Sequence, residues 1–538
     1  MNLDIMQYFP LDSPRPSQEK VIRAIDGAFL KKRIVILEAP VGSGKSAVAL
    51  TIAKSRQSSH IITPRKSLQD QYFADFHDSL VLMKGRNAYP CTRDSGVETY
   101  RNVSNQILKG KVNPPASIFD SCAMGPCANS SSIKKRCEDA KGPCPYGLAI
   151  LTAQQSDCIV HNAHSFIYQA NFGEKFDKRE VLIIDEAHMM EGVLRDFVTK
   201  KFELSKVVRT MPDIDRTKMS EWLNYFSSSE FVPKETRLEI EKKQRDPTYS
   251  TAKDEYMAKV DTLGSNAEFM DKNGFTVKRT PTFSGSTETG VVFEFIPHNL
   301  GNAMHNYLFD YGEKVLLMSG TIYDHDQYCR SIGIDPNDAI SLRIPSSFPA
   351  KNRPVYLKKE YQTDTSFANW NANFPDLIQI IDKIQGKFPL AKGLIHAPSY
   401  DSAAEITKMV PGRRLVTHGR QDFQSKLEEF YASKEPLIFV SPICQQGVDF
   451  KDDRARFQVI TRVPYLNTSD EFVEHKVKND FNWYNYQALI IFGQMLGRPV
   501  RSESDFGATF LVDSRFHKFV DKNRNRLPKW VMDSMIYD

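Results

Sequence analysis

Long apolar runs are missing from this chain: no stretch approaches the roughly 18 residues that a helix needs to cross a bilayer, so a membrane-spanning protein is not expected. The start, MNLDIMQYFPLDSPRP, lacks the charged-then-apolar layout of a signal peptide, and a cytosolic protein is expected. A strong charge of one sign is missing too. The 71 basic and 66 acidic residues leave a net charge of +5, which permits a nucleic-acid partner without demanding one. Long low-complexity tracts and internal repeats are also absent, and with 41% apolar and 25% charged residues a packed globular chain is expected.

At 538 residues the chain exceeds what one hydrophobic core supports, so three or four domains are expected. Short apolar, β-branched runs recur at IVILE (34–38), HIIT (60–63), CIVH (158–161), VLIID (181–185), KVLLMS (314–319), KGLIH (392–396), LIFVS (437–441), FQVITRV (457–463) and ATFLVD (508–513). Helix-like segments lie between most of them, which predicts an α/β fold with parallel, doubly wound sheets. A proline-bearing stretch at 344–354, IPSSFPAKNRP, divides the strands into two sets. Within the first set, the intervals 86–157 and 190–300 lack strand–helix rhythm and read as insertions, the second carrying helical patterns such as SEWLNYFSSSEF.

Three stretches carry chemistry. Ala39-Pro40-Val41-Gly42-Ser43-Gly44-Lys45-Ser46 follows a strand and precedes a helical pattern, as a phosphate loop does. Gly42 and Gly44 permit the turn that aims backbone N–H groups at phosphate oxygens; Lys45 would reach the β- and γ-phosphates of ATP and Ser46 would hold Mg²⁺. The loop needs an acidic partner, and VLIIDEAHMM supplies Asp185 for Mg²⁺ and Glu186 as general base for the attacking water. Near the end, QMLGRPVR (494–501) places Arg498 and Arg501 three apart, suited to presenting guanidinium groups to a γ-phosphate from a facing domain. Taken alone, Asp185-Glu186 also reads as a solvated helix start, and the arginines as a solvated helix face.

Five of the eight cysteines, Cys91, Cys122, Cys127, Cys137 and Cys144, crowd into 54 residues, with 30, four, nine and six residues between them. In a reducing compartment this argues for a metal. Zinc sites more typically show two tight cysteine pairs, whereas a four-iron cluster tolerates wider spacing, so spacing alone leaves the metal open. Cys158, Cys329 and Cys444 stand beside strand-like runs and are expected to be buried thiols.

GSGKS, DEAH (185–188), MSGTI (318–322), SPICQQGVDF (441–450) and QMLGRPVR occur in the order and spacing of superfamily 2 helicases. KGRNAYPC (84–91), GPCPYGLA (142–149), CIVHNAHSFI (158–167), PSSFP (345–349), GLIHAPSY (393–400) and LVDSRF (511–516) narrow the match: the chain resembles the XPD/DinG family of iron–sulfur DNA helicases from about residue 14 to 520. The resemblance implies two RecA-like motor domains, with an iron–sulfur cluster domain and a mainly helical arch domain inserted in the first. The segments become 1–85, 151–192 and 299–345 for motor 1, 86–150 for the cluster, 193–298 for the arch and 346–538 for motor 2. It further implies that Arg15 and Gln18 lie on the adenine side, that Gln494, Arg498 and Arg501 are catalytic, and that Gly447 and Asp449 couple nucleotide to DNA movement. His188 becomes part of interdomain coupling, and Thr63, Pro64, Ser399 and Tyr400 become strand contacts. For the [4Fe–4S] cluster it implies Cys91 and Cys144, with Cys127 and Cys137 preferred over Cys122. Gln446 stands where a glutamate is more typical, and MSGTI varies a commoner Ser-Ala-Thr.

The implied activity is ATP- and Mg²⁺-dependent unwinding by a monomer that translocates 5′ to 3′ on single-stranded and forked DNA, and the compact length with a short 190–300 interval suggests a bacterial or viral origin. The basic run at Lys134 to Arg136 would line the strand's pore. Two other readings stay in view: a DNA-binding ATPase switch that does not unwind processively, and a DEAH-type RNA helicase, against which the cysteine insertion speaks.

Overall fold

The computed structural model describes residues 4–89, 145–173, 175–246, 248–445, 448, 450 and 452–538. The cysteines at 91, 122, 127, 137 and 144, the basic run at 134–136, and Gln446, Gly447 and Asp449 lie outside the described residues.

Two seven-stranded sheets dominate, and every pairing within them is parallel. In spatial order the first runs Ala339–Arg343, Ile34–Glu38, Gly312–Ser319, Arg179–Asp185, Ser59–Thr63, Cys158–Asn162 and Val81–Met83. The second runs Leu415–Thr417, Ile438–Ser441, Gly393–His396, Phe457–Ile460, Ala508–Leu511, Val355–Tyr356 and Met535–Ile536. These are RecA-like motor domains: parallel strands need long crossovers, and helices fill those crossovers on both faces.

The strand signals are continuous apolar runs because both faces are covered. Ile34 and Ile36 enter one core with Leu182, Ile184, Val315 and Leu317, while Val35 and Leu37 enter the opposite core with Val181, Ile183, Leu316 and Met318. The first of these cores continues into the second motor through Tyr486, Leu489 and Phe492.

The insertion between the motor-1 strands at Arg179–Asp185 and Gly312–Ser319 holds the expected helices, among them Met219–Phe226 and Ala252–Gly264, and adds a three-stranded antiparallel sheet. Strand Thr287–Pro297 alternates strictly over its second half, with Val291, Phe293 and Phe295 buried against Trp222 and Phe226. Strand Phe275–Ser284 is at the sheet's edge, where Pro281 is tolerated because its missing N–H faces no partner strand.

Two buried histidines sit side by side in the first sheet. His60 Nδ1 lies 3.1 Å from His161 Nε2, and His60 Nε2 lies 2.9 Å from the Asp177 carbonyl oxygen, which fixes both rings as Nε2–H tautomers. Burial lowers the His60 imidazole to about 3 and His161 well below its ordinary value. The folded chain therefore keeps both rings neutral while the unfolded chain takes up protons below about pH 6.5. Stability is constant above that value and falls as the pH drops below it, by up to roughly 1.4 kcal/mol per pH unit for each ring. The thermal midpoint is expected to fall between about pH 7 and about pH 5, and to fall less in a His60→Gln/His161→Phe double variant.

Candidate nucleotide-binding cleft

The strand Ile34–Glu38 is flanked on both sides, by Ala339–Arg343 and Gly312–Ser319, and the chain leaves its carboxyl end into the loop 39–44, where α/β sheets bind ligands. Gly42 and Gly44 take φ of +78° and +76°, a region open to glycine at no steric cost. A methyl group at Gly42 would lie 2.2 Å from Phe348 Cζ, and one at Gly44 2.2 Å from Gln18 Nε2, so side chains from two directions close on the bare loop. Helix Lys45–Lys54 starts there with no side-chain cap, leaving its first N–H groups for an anion. Arg15 Nη1 donates to the Gly42 carbonyl at 2.6 Å, and Gln18 Oε1 accepts from Arg15 N at 2.9 Å. These two residues brace the loop from its outer side. Lys45 Nζ donates to the Ala39 carbonyl at 3.2 Å, and the Ser43 hydroxyl is buried with no protein partner. A glycine cradle with an orphaned hydroxyl fits a polyphosphate.

Asp185 ends its strand fully buried. Its Oδ2 accepts from the Tyr72 hydroxyl at 3.0 Å and its Oδ1 from Glu186 N at 2.9 Å. The Tyr72 hydroxyl also contacts the Ser46 side chain, so Ser46 and Asp185 converge on one phenol. No sequence motif marks Tyr72, which lies on helix Lys66–Phe76. Burial, with the neighbouring Glu186 charge, raises the Asp185 carboxyl to about 6.

Glu186 takes a left-handed backbone, φ 52°, which costs a non-glycine residue about 1–2 kcal/mol and turns its carboxylate into the cleft. Burial alone pushes that carboxyl up, but His188, Lys45 and Arg65 together hold it well below the usual carboxylate range. His188 Nδ1 stands 3.4 Å from Glu186 Oε2 and 2.8 Å from Ser319 Oγ. Ser319 Oγ accepts from Thr321 N at 3.1 Å, and Thr321 Oγ1 accepts from Gln494 Nε2 of the second motor at 2.6 Å. A polar chain thus runs from the general-base candidate across the interface.

From the second motor, helix Phe481–Leu496 delivers Gln494, and Arg498 follows it. Arg498 donates from Nη1 to the Val448 carbonyl at 2.6 Å and from Nε to the Gln494 carbonyl at 3.0 Å. Its burial, with Arg501 and Arg65 nearby, lowers the guanidinium to about 9. Lys45, Glu186, Gln494, Arg498 and Arg501 all line one cleft of about 440 Å³ between the motors. Arg65, Thr321, Phe348, Arg353 and Trp530, which the sequence did not single out for nucleotide, line it as well. Lys45, Arg65, Arg353, Arg498 and Arg501 give the cleft five cationic side chains against the single carboxylate of Glu186, a charge balance suited to phosphate.

The other end of helix Phe481–Leu496 is fixed to the first motor. Glu191 accepts from Trp483 Nε1 and Arg195 Nη2, each at 2.7 Å, and from Gln487 Nε2 at 2.9 Å. The Arg195 guanidinium lies 4.4 Å from the centre of the Phe472 ring, and Lys278 of the insertion pairs with Asp470 at 3.0 Å.

Of the residues expected on the strand path, Ser399 caps helix Tyr400–Met409 by accepting from Ser402 N at 3.1 Å, and the Arg420 guanidinium lies 4.9 Å over the Tyr400 ring. Thr63 Oγ1 donates to the Arg65 carbonyl at 3.1 Å. Cys158, Cys329 and Cys444 are buried free thiols, and among the described residues no group of three His, Cys, Asp or Glu is placed to hold a metal ion. No helix among them is long and apolar enough to cross a membrane.

Comparison with known proteins gives a consistent result. Residues 379–534 match the family described as Helicase C-terminal domain, and residues 12–203 the family described as Type III restriction enzyme, res subunit. The ATP-dependent DNA helicase YoaA of Escherichia coli (strain K12) is 20% identical over 95% of this chain and 93% of its own length. The regulator of telomere elongation helicase 1 homolog of Drosophila grimshawi is 23% identical over 47% of this chain, which spans 29% of that longer protein. In fold, the chain superposes on a solved XPD helicase with a TM-score of 0.59 at 17% identity, covering 98% of this chain and 100% of that one. The Xpd4 of S. tokodaii gives 0.55 at 13% identity, covering 97% and 100%. With the helicase motifs gathered at one interface between two RecA-like domains, the chain is similar in sequence and in fold to the XPD/DinG-like helicases of superfamily 2.

Proposed function

We propose that the protein is an ATP- and Mg²⁺-dependent DNA helicase that moves 5′ to 3′ along single-stranded DNA and opens duplex or forked DNA. The observation that carries this reading is the cleft in which the phosphate loop and Glu186 of one motor face Gln494, Arg498 and Arg501 of the other. Hydrolysis there requires both motors, so the nucleotide cycle opens and closes the interface, and a strand held across both motors is drawn along. Lys45 neutralises the transferring phosphate, Glu186 takes the proton of the attacking water, and Arg498 and Arg501 meet the charge that develops. Ser46 and Asp185 would hold Mg²⁺, which would neutralise phosphate charge.

DNA as the substrate is supported by the likeness to YoaA, whose name states it; a single strand of either nucleic acid suits the aromatic–guanidinium pairs on motor 2, Tyr400 with Arg420 and Trp370 with Arg462 at 4.7 Å. Such pairs stack bases without reading sequence. Polarity is inferred from the XPD/DinG resemblance, as is a [4Fe–4S] cluster on Cys91, Cys127, Cys137 and Cys144.

Anaerobically purified protein, given ATP and Mg²⁺, is expected to unwind a duplex with a 5′ single-stranded tail and to leave the matched 3′-tailed duplex closed. The same preparation is expected to carry iron and acid-labile sulfide in equal amounts. DNA-stimulated hydrolysis with neither duplex opened would replace the helicase reading by an ATPase switch. Zinc without sulfide would replace the cluster.

A further inference from the structure

The segment joining the two motors does more than connect them. It runs from strand Ala339–Arg343 of the first sheet to strand Val355–Tyr356 of the second, and it carries Phe348 and Arg353 into the nucleotide cleft. The Phe348 ring packs on the phosphate loop at Gly42. Arg353 is only 8% exposed, and its guanidinium lies 4.2 Å from the centre of the Trp530 ring and 5.7 Å from that of Phe348. Nη2 donates to the Phe348 carbonyl at 2.7 Å, while Nε is buried with no partner.

Among the described residues no carboxylate forms an ion pair with Arg353. A buried guanidinium stacked on indole and left with a free N–H is an unfavourable arrangement for structure alone, since a buried donor without an acceptor forfeits its hydration. The same arrangement is favourable for ligand binding: the rings fix the plane, and the free edge of the fork presents donors to an anionic oxygen.

We propose that Arg353 is a nucleotide-binding residue supplied by the interdomain segment, its Nε–H donating to an oxygen of the bound nucleoside polyphosphate. Trp530 and Phe348 act as positioning residues that hold the guanidinium in register. This rests on the nucleotide reading of the cleft. It makes the connection between the motors part of the ligand shell, so that binding tightens the segment about which the domains move.

The test measures equilibrium binding of fluorescent ATP and ADP analogues, with Mg²⁺, to the parent chain, Arg353→Gln and Arg353→Lys, alongside the nucleotide-free thermal midpoint. Weakening by about tenfold or more in both variants, with midpoints near the parent's, supports the proposal. Lysine is expected to fail as well because it lacks the planar stack and the Nε–H. Affinity within twofold of the parent in either folded variant overturns it and leaves Arg353 as a staple between the segment and Trp530. Should Arg353→Gln fail to fold, Arg353→Lys decides alone. Failure of the parent to bind nucleotide would instead overturn the nucleotide reading itself, which is a different outcome from a parent that binds and variants that match it.

Discussion

Replacing Glu186 by glutamine is expected to slow ATP turnover by roughly 10²- to 10⁴-fold, the range that a positioned general base supplies, while nucleotide still binds. Glutamine keeps the length and hydrogen-bonding shape of the side chain and loses only its basicity. In the parent, His188, Lys45 and Arg65 hold the carboxyl well below the usual carboxylate range, so it is ionised at neutral pH. The Gly42–Gly44 cradle, Lys45 and Ser46 are untouched by the change, which is why binding is expected to survive. Phosphate release in the presence of DNA and equilibrium binding of a fluorescent ATP analogue separate the two effects. A parallel loss of binding would move the role of Glu186 from proton acceptor to phosphate-site architecture.

Arg498→Ala is expected to reduce the single-turnover hydrolysis rate by about 10³-fold or more, the scale of an arginine finger. The geometry argues that lysine will not rescue it. The guanidinium is held by two backbone carbonyls, at Val448 and Gln494, and by the Gln494 side-chain oxygen at 3.3 Å, which fixes its plane at the wall of the cleft. An ammonium cannot satisfy both carbonyls and keep a planar donor edge for the phosphate. Arg498→Lys is therefore expected to resemble Arg498→Ala more than the parent. A reduction of less than about tenfold in Arg498→Ala would assign the transition-state charge to another group, with Arg501 the next to vary.

The contrast between what was legible in the chain and what was not has a physical basis. Fully buried parallel strands are continuous apolar runs, and each of the nine runs singled out forms a strand of the two sheets. Strands such as Val355–Tyr356 and Met535–Ile536 are two residues long and exist through their pairing, so no local pattern announces them. The insertion read as helical because its charged stretches dominate, although VVFEFIP alternates as a half-buried strand does. The phosphate-site residues were legible because a phosphate must be met by neighbouring backbone and side-chain groups, which keeps them contiguous in sequence. Arg65, Arg353 and Trp530 reach the cleft from three separate elements, and Tyr72 reaches Asp185 from the helix that follows Arg65, with no spacing rule to mark them.

Helix Phe481–Leu496, with 16 residues, is about 24 Å long. One end is gripped by the buried Glu191, and the other offers Gln494 to Thr321 through a single hydrogen bond. Such a beam, pinned at Trp483 and latched at Gln494, behaves as a lever: a slip of about 2 Å at the latch is a rotation of only about 7° at the pin, given a rise of roughly 1.5 Å per residue. A pin made of one carboxylate held by an indole, an amide and a guanidinium tolerates that rotation without breaking, because each donor needs only a small reorientation. On the proposed function, chemistry at the phosphates and motion of the second motor would be geared through one rigid rod, whose fulcrum, Glu191, lies a few residues beyond Glu186 in the chain.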